Sequence, residues 1–157
     1  MIELKKDPEE MIKELGLTLP DAPKPIGSYV PAIVTSNMLF TSGNLPLKNG
    51  ELVYKGKMGE EKNTIEIGQE ASKLAVLNSL SAAKQALGNL SKIKGVIKVT
   101  GFVNSGSGFT DQPKVINGAS DLLVKIFGEA GKHARSAVGV AELPLNALVE
   151  IEFIYKI

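Results

Sequence analysis

The second half of the chain alternates strand-like and helix-like segments, and this order constrains the fold more than any other feature. Residues 95–103 are apolar and β-branched, as expected of a buried strand. Apolar residues then recur at helical spacing from Val115 to Ile126, and another strand-like run begins at Arg135. Because a single helix between two strands acts as a crossover, this unit predicts at least one parallel pair of strands.

The first half predicts short strands followed by one long helix. Residues 29–46 indicate two strands, and Asn49-Gly50 indicates a turn before a third candidate at residues 51–56. The long helix is predicted to begin at Asn63, as its capping residue, and to run to Leu87.

The last two strand candidates, residues 135–142 and 147–157, are separated by Leu-Pro-Leu-Asn, which is typical of a hairpin. The order ββ(β)αβαββ indicates the α+β class, with a mixed sheet and two helices packed on one face. The final strand is apolar on both of its faces, and only one face can lie under the helices. Because no third long helix is available, we expect other copies of the chain to cover the second face, which predicts a homo-oligomer.

Composition narrows the function classes. The 157 residues fit one domain, which we divide into an N-terminal extension, residues 1–24, with a short helix and a proline-rich connector, and a domain of residues 25–157. The net charge of +1 disfavours nucleic-acid and membrane-surface binding. No cysteine and one histidine leave only carboxylates for a metal site, so we expect none. The first residues lack a secretory signal and no run is long enough to span a membrane, so we expect a soluble, cytoplasmic protein.

Arg135 is the first candidate for a binding residue, because it is the only arginine among 18 basic residues. A guanidinium offers the planar, two-pronged donor that suits a carboxylate or phosphate, although a structural ion pair is the alternative. Small neighbours, among them Ala137 and Gly139, predict a hollow beside it. A hairpin centred near residues 143–144 would place residue 137 opposite Glu150, and then Arg135, Ala137 and Glu150 would share one face.

Glu150 is the second candidate, because it lies between Val149 and Ile151 on an otherwise apolar strand. Such a carboxylate is paired with a lysine or arginine, exposed to solvent, or tuned for proton transfer, and all three remain open. His133 precedes a strand, where a partly exposed loop residue is the more common outcome than a catalyst. The Gly- and Ser-rich residues 104–110 are expected to be a flexible connection, because they lack the lysine and spacing of a phosphate loop.

Four segments together resemble the Rid, or YjgF-like, family of reactive intermediate deaminases. They are IGSYVPAI at residues 26–33, LFTSGNLP at 39–46, VTGFVNS at 99–105 and HARSAVGVAELPLNALVEIE at 133–152. The resemblance covers about residues 25–157. It implies a chorismate-mutase-like α+β protomer in a homotrimer with ligand clefts between subunits and no cofactor. It also implies hydrolysis of enamines and imines, such as 2-aminoacrylate and 2-aminocrotonate, to 2-keto acids and ammonia.

The same resemblance assigns roles to individual residues. Arg135 matches the arginine that grips the substrate carboxylate, and Glu150 matches the acid that places or activates the attacking water. The cleft would be lined by Tyr29, Ser42, Gly43 and Asn117. Two positions depart from the family pattern: Ala137 replaces a frequent cysteine, which predicts a larger pocket and a different substrate preference, and Asn44 replaces a glutamine.

The sequence therefore leaves three candidate functions open. The leading one is hydrolytic deamination of small 2-imino and 2-enamino acids. The second is a trimer that binds a small 2-keto acid without turnover, which Ala137 favours. The third, an endoribonuclease or translation inhibitor, is disfavoured by the near-neutral charge and an aromatic content of 5%.

Overall fold

Two long helices pack together on one face of a five-stranded mixed sheet in the computed structural model, which describes residues 6–157. Residues 1–5 of the predicted extension lie outside the described part. The helices and strands are α1 (Pro8–Glu14), β1 (Ala32–Thr35), β2 (Met38–Thr41), β3 (Leu47–Lys48), β4 (Glu51–Leu52), α2 (Ile65–Leu87), β5 (Gly95–Asn104), α3 (Gln112–Phe127), β6 (Ala134–Val140) and β7 (Val149–Lys156). The sheet order is β1-β2-β7-β5-β6, and β3 and β4 form a separate hairpin. The α+β prediction is confirmed.

The strand pairing confirms the crossover and contradicts the C-terminal hairpin. β5 and β6 are parallel, as the single intervening helix predicts. β6 and β7 are not neighbours, because β5 lies between them and pairs with both. The connection at Pro144–Asn146 is a short 3-10 turn, with Leu145 and Asn146 at positive φ. It passes the end of β5, where the Asn104 side chain donates to Asn146 Oδ1 at 3.2 Å and Ala147 O at 3.1 Å.

The N-terminal elements form close to their predicted positions, with one difference in capping. In α1, the Asp7 carboxylate accepts from Glu9 N at 2.8 Å, as a capping residue does. The cap of α2 is Thr64, whose side chain accepts from Ile67 N at 3.3 Å. Asn63 was the predicted cap, but its amide instead donates to the carbonyls of Lys55 and Lys57 and so holds the preceding loop.

The core lies between the sheet and the two long helices. Val149, Ile151, Phe153 and Tyr155 of β7 are all buried on this side. The opposite side of the sheet, here called the open face, carries Ile33 at 58% and Val138 at 44% exposure, together with partly buried aromatic and aliphatic residues. No helix within residues 6–157 is long and apolar enough to cross a membrane.

Candidate functional site

Arg135 lies on the helix side of edge strand β6 and is held by α3. Its Nη1 donates to Asn117 Oδ1 at 2.8 Å and to Ser120 Oγ at 3.1 Å. Its Nε and Nη2 make no hydrogen bond to any side chain or carbonyl of the described residues. The guanidinium is therefore anchored through one nitrogen, and the donors of its other edge stay available for a two-oxygen ligand such as a carboxylate.

His133 and Ser120 lie behind Arg135. Ser120 Oγ is 2.9 Å from His133 Nε2, and His133 Nδ1 is 2.6 Å from the carbonyl oxygen of Gly131. Burial, aided by the nearby positive charge of Arg135, lowers the pKa of His133 below its ordinary value. Sequence reasoning missed Ser120; the available signal was its i,i+3 spacing from Asn117, which puts both on one face of α3.

Ala137 follows Arg135 on the same side of β6 and is partly buried against the core. Gly139 comes next on that side, where a Cβ would lie 2.6 Å from the amide nitrogen of Gln112. At Gly139 the side chains of Gln112 and Ser105 fill the space beside β6, and the predicted hollow beside Arg135 stays a prediction.

A second group of predicted residues gathers around the end of β2. The Ser42 hydroxyl donates to Val30 O at 2.6 Å, and a small pocket beside it is lined by Tyr29, Ser42, Gly43 and Asn44, with Pro31 and residues 23–25 of the connector. The Asn44 amide donates to Ser42 O at 2.8 Å and Ile151 O at 3.2 Å. Asn44 and Ile151 also exchange two backbone hydrogen bonds, of 2.8 and 3.0 Å. These bonds join the pocket to β7.

Glu150 belongs to this second group. Its carboxylate lies against Gly43, where a Cβ would overlap Oε1, so no larger residue fits there without displacing it. Partial burial, with a smaller effect from the charge of Glu152, raises the pKa of Glu150 above its ordinary value. Among the described residues Glu150 makes no ion pair, so the alternative of a structural pair with lysine or Arg135 is not realised.

The two groups lie on opposite faces of the sheet within one protomer. Arg135 is beside Val99, and Val99 is opposite Phe153 in the core. Glu150 is opposite Phe102 on the open face. The prediction that Arg135, Ala137 and Glu150 share a face is therefore wrong, because it assumed a hairpin register that the intervening β5 removes.

Metal binding has no support in this part of the molecule. Residues 6–157 contain no cluster of three or more His, Asp or Glu side chains that could hold a metal ion. The chemistry available here is that of the guanidinium, the carboxylate and their hydrogen-bonding neighbours.

Comparison with known proteins settles the family. The family model described as "YjgF/chorismate_mutase-like, putative endoribonuclease" matches residues 9–156. The chain belongs to this YjgF-like family. The family resemblance and the α+β class with helices on one face of a mixed sheet are confirmed.

Two curated relatives differ in what their names say. Protein TCP17 of Trypanosoma cruzi is 40% identical over 147 residues, covering 93% of this chain and 91% of TCP17. A 2-iminobutanoate/2-iminopropanoate deaminase of Dermatophagoides farinae is 34% identical over 143 residues, covering 90% of this chain and 94% of the deaminase.

Solved structures of similar proteins carry similarly varied descriptions. Atu1372 of Agrobacterium tumefaciens, of unknown function, is 45% identical with a TM-score of 0.87, over 96% of this chain and 91% of Atu1372. A Shewanella oneidensis protein described as a "putative endoribonuclease" is 37% identical with a TM-score of 0.92, over 97% of this chain and 100% of the Shewanella chain. Escherichia coli TdcF with bound serine is 28% identical with a TM-score of 0.62, over 87% of this chain and 93% of TdcF. These descriptions do not agree on one activity.

Proposed function

We propose that the protein hydrolyses small 2-imino and 2-enamino acids to 2-keto acids and ammonia. The observation that carries this proposal is the Arg135 guanidinium, which α3 holds by Nη1 while its other edge keeps its donors. A bidentate pair with that edge is the recognition mode expected for an α-carboxylate. The name of the Dermatophagoides farinae deaminase, at 34% identity, supports the reaction type.

The proposed site lies between copies of the chain. Arg135 and Glu150 face opposite sides of their sheet, so a substrate of a few atoms cannot contact both within one protomer. A neighbouring copy that docks on the open face would bring its own Arg135 group to the Glu150 group. The exposed Ile33 and Val138 favour such docking, since burying apolar surface drives association. A closed ring of three copies gives three equivalent sites and is the assembly we propose.

In the proposed mechanism, Arg135 Nε and Nη2 bind the substrate carboxylate and fix the adjacent imine carbon. Glu150 of the neighbouring copy accepts a proton from water as the water oxygen bonds to that carbon. That proton passes to the imine nitrogen, which gives a carbinolamine. The hydroxyl proton then transfers to the amino nitrogen as the carbonyl forms and the carbon–nitrogen bond breaks, which releases ammonia and a 2-keto acid. An enamine enters the same route after protonation of its β-carbon. Such general base assistance contributes on the order of 10² to 10⁴ in rate.

Ala137 is compatible with this chemistry. Addition of water to an imine forms no bond to the enzyme, so the thiol common at this position in the family is dispensable for hydrolysis. Residue 137 is a partly buried alanine, whose side chain is smaller than that of cysteine. We therefore expect its effect to fall on the size of the substrate accepted.

The test is a coupled assay in which a pyridoxal-phosphate dehydratase generates 2-aminoacrylate and 2-aminocrotonate, and release of the 2-keto acid is followed. Wild-type protein should accelerate release, and Arg135→Ala should abolish the acceleration. Lys132→Ala is the matched control, because Lys132 is an exposed cation near Arg135 in the sequence. Within residues 6–157 its only ion pair is with Glu129, at 2.9 Å. Equal rates for wild type and Arg135→Ala would overturn the proposed role, and no acceleration by wild type would overturn the activity.

The second candidate is a trimer that binds a 2-keto acid without turnover. The free donors of Arg135 and the small side chain of Ala137 suit binding as well as catalysis, and TdcF is described with serine bound. Saturable binding of 2-ketobutyrate by calorimetry, with no acceleration in the coupled assay, would select this function. For the endoribonuclease description, the net charge of +1 gives little attraction for phosphates, and we expect no salt-dependent binding to single-stranded RNA.

A further inference from the structure

A hydrogen-bond chain connects Arg135 to the backbone through two side chains that have no assigned role. It runs from Arg135 Nη1 to Ser120 Oγ (3.1 Å), from Ser120 Oγ to His133 Nε2 (2.9 Å) and from His133 Nδ1 to Gly131 O (2.6 Å). All three side chains are partly buried. Gly131 is itself buried and packed against the backbone of α3, where a Cβ would lie 2.9 Å from Val124 Cα. The far end of the chain is therefore fixed.

The chemistry of the two ends determines the direction of every bond. A guanidinium only donates, so Ser120 Oγ accepts from Arg135. A carbonyl only accepts, so His133 Nδ1 carries a hydrogen and donates to Gly131. In neutral His133, Nε2 then has a lone pair and accepts the Ser120 hydroxyl hydrogen. Donating that hydrogen makes the Ser120 oxygen a stronger acceptor for Arg135.

We propose that His133, acting through Ser120, is a positioning residue that holds the Arg135 guanidinium in the orientation that receives the substrate carboxylate. The inference rests on the proposed function, because it assumes that Arg135 binds that carboxylate. Asn117 fixes Nη1 from one direction at 2.8 Å, and Ser120 fixes it from another, so together they restrict rotation of the guanidinium plane. Loss of either bond weakens carboxylate binding more than it slows the chemical step.

Protonation of His133 would work against this arrangement. A hydrogen on Nε2 leaves Ser120 without its acceptor and places a second positive charge beside the guanidinium. Arg135 is the charged group that reaches His133 from β6, and it disfavours protonation. Five other charged side chains belong to adjoining elements. Glu129 and Lys132 pair with each other, and Asp121 and Lys125 on α3 are exposed. Lys98 on β5 donates to Ser136. Glu150 and Glu152 lie on the opposite face of the sheet.

The proposal is tested with 2-ketobutyrate, a stable ligand, by calorimetry between about pH 5 and 8, and with 2-aminocrotonate turnover in the same variants. Removing the acceptor with His133→Leu, or the link with Ser120→Ala, should raise the Kd and KM about tenfold over the wild-type values at high pH and leave kcat within about twofold. The difference from wild type should shrink at low pH, where His133 protonation weakens the wild-type protein as well. His133→Gln supplies an amide oxygen that accepts from Ser120 and does not titrate. Its Kd should match wild type at high pH and should lack the rise that wild type shows as His133 protonates.

Three results would overturn the inference in distinguishable ways. If Arg135→Ala loses binding while His133→Leu and Ser120→Ala bind as wild type, the positioning role is wrong and the proposed function stands. If His133→Gln keeps the wild-type rise in Kd at low pH, another group causes the pH dependence and the role of His133 is wrong. If wild type neither binds 2-ketobutyrate nor turns over the imine, both proposals fail. Circular dichroism of each variant checks its fold, and His133→Gln alone decides the pH outcome should His133→Leu unfold.

Discussion

Arg135 and Glu150 lie on opposite faces of one sheet, Arg135 under α3 and Glu150 against Gly43. The protomer therefore holds two half-sites, and neither contains both groups that the proposed reaction needs. A sheet is a closed hydrogen-bonded layer, so no small ligand passes through it to join the two. Because Arg135 and Glu150 lie on opposite faces, the proposed mechanism requires assembly of several copies of the chain. This requirement can be tested without a structure of the assembly.

The test is complementation between two inactive variants. Arg135→Ala and Glu150→Gln should each be inactive alone, and refolding them together at equal amounts should restore activity. Random assembly places an intact Arg135 opposite an intact Glu150 of another copy in about one quarter of sites, which sets the expected fraction of wild-type activity. Mixing Arg135→Ala with the double variant Arg135→Ala/Glu150→Gln is the control and should stay inactive. No recovery in the first mixture would show that the two residues do not act in a shared site.

The pH dependence of turnover should follow Glu150. Because burial and Glu152 raise the pKa of Glu150, the general base is ionised only above that raised value, and kcat should rise with pH through it. Glu150→Gln should lower kcat by a factor on the order of 10² to 10⁴ and remove the rise. Glu152→Gln is the matched control on the same face. It removes the neighbouring negative charge, so the profile should move to lower pH with little loss of maximal rate; an unchanged midpoint would contradict the electrostatic coupling.

The same group should affect stability in a pH-dependent way. A carboxyl whose folded-state pKa is raised costs folding free energy when ionised and none when protonated. Glu150→Gln should therefore have the higher Tm at neutral pH. The difference should shrink as the pH falls through the raised pKa of Glu150 and should be absent below 4.5, the ordinary value. Scanning calorimetry across this range measures the difference. A Tm for Glu150→Gln below that of wild type at neutral pH would mean that the ionised carboxylate is stabilised in the assembly.

The sequence predicted the elements well and the C-terminal strand order badly. Local signals sufficed for α1, where Asp7 caps and Gly16 terminates the helix at a φ of +71°, and for the crossover that makes β5 and β6 parallel. Leu-Pro-Leu-Asn is typical of a hairpin turn, but the same residue types also form short connections that cross the end of another strand. Only the long-range pairing of β7 with β5 distinguishes a hairpin from such a crossing, and no local sequence pattern encodes that pairing.

The candidate site residues were predicted by two different routes. The rarity of arginine pointed to Arg135, and the apolar flanking residues pointed to Glu150. The pairing of Glu150 with Gly43 depends on contact between segments more than 100 residues apart in sequence and was accessible only through the family resemblance. The sequence does not predict the contact between Ser120 and His133, because that contact depends on how α3 packs over β6.

Gly43 provides a test of the position of Glu150. Gly43→Ala should push the carboxylate aside, because a Cβ there overlaps Oε1, and kcat should fall while the fold is retained. Adding Glu150→Asp shortens the acid by one methylene and makes room, so the double variant should recover part of the loss relative to Gly43→Ala. The activity of Glu150→Asp alone is the reference. If Gly43→Ala has wild-type kcat, the contact is not needed to place the acid.

The buried pair of Ser79 and Tyr155 should support stability without affecting activity. The two hydroxyl oxygens are 2.6 Å apart, and because Ser79 donates to Val76 O at 2.8 Å, Tyr155 donates to Ser79. Ser79→Ala leaves the phenol hydroxyl fully buried without an acceptor, which should cost about 1–3 kcal/mol in the free energy of unfolding. Tyr155→Phe in that background removes the orphaned hydroxyl and should recover part of the loss, as urea unfolding would measure. Because the pair lies in the core, away from both half-sites, kcat and KM should remain those of wild type. A further loss in the free energy of unfolding on adding Tyr155→Phe would show that the tyrosine hydroxyl has another partner.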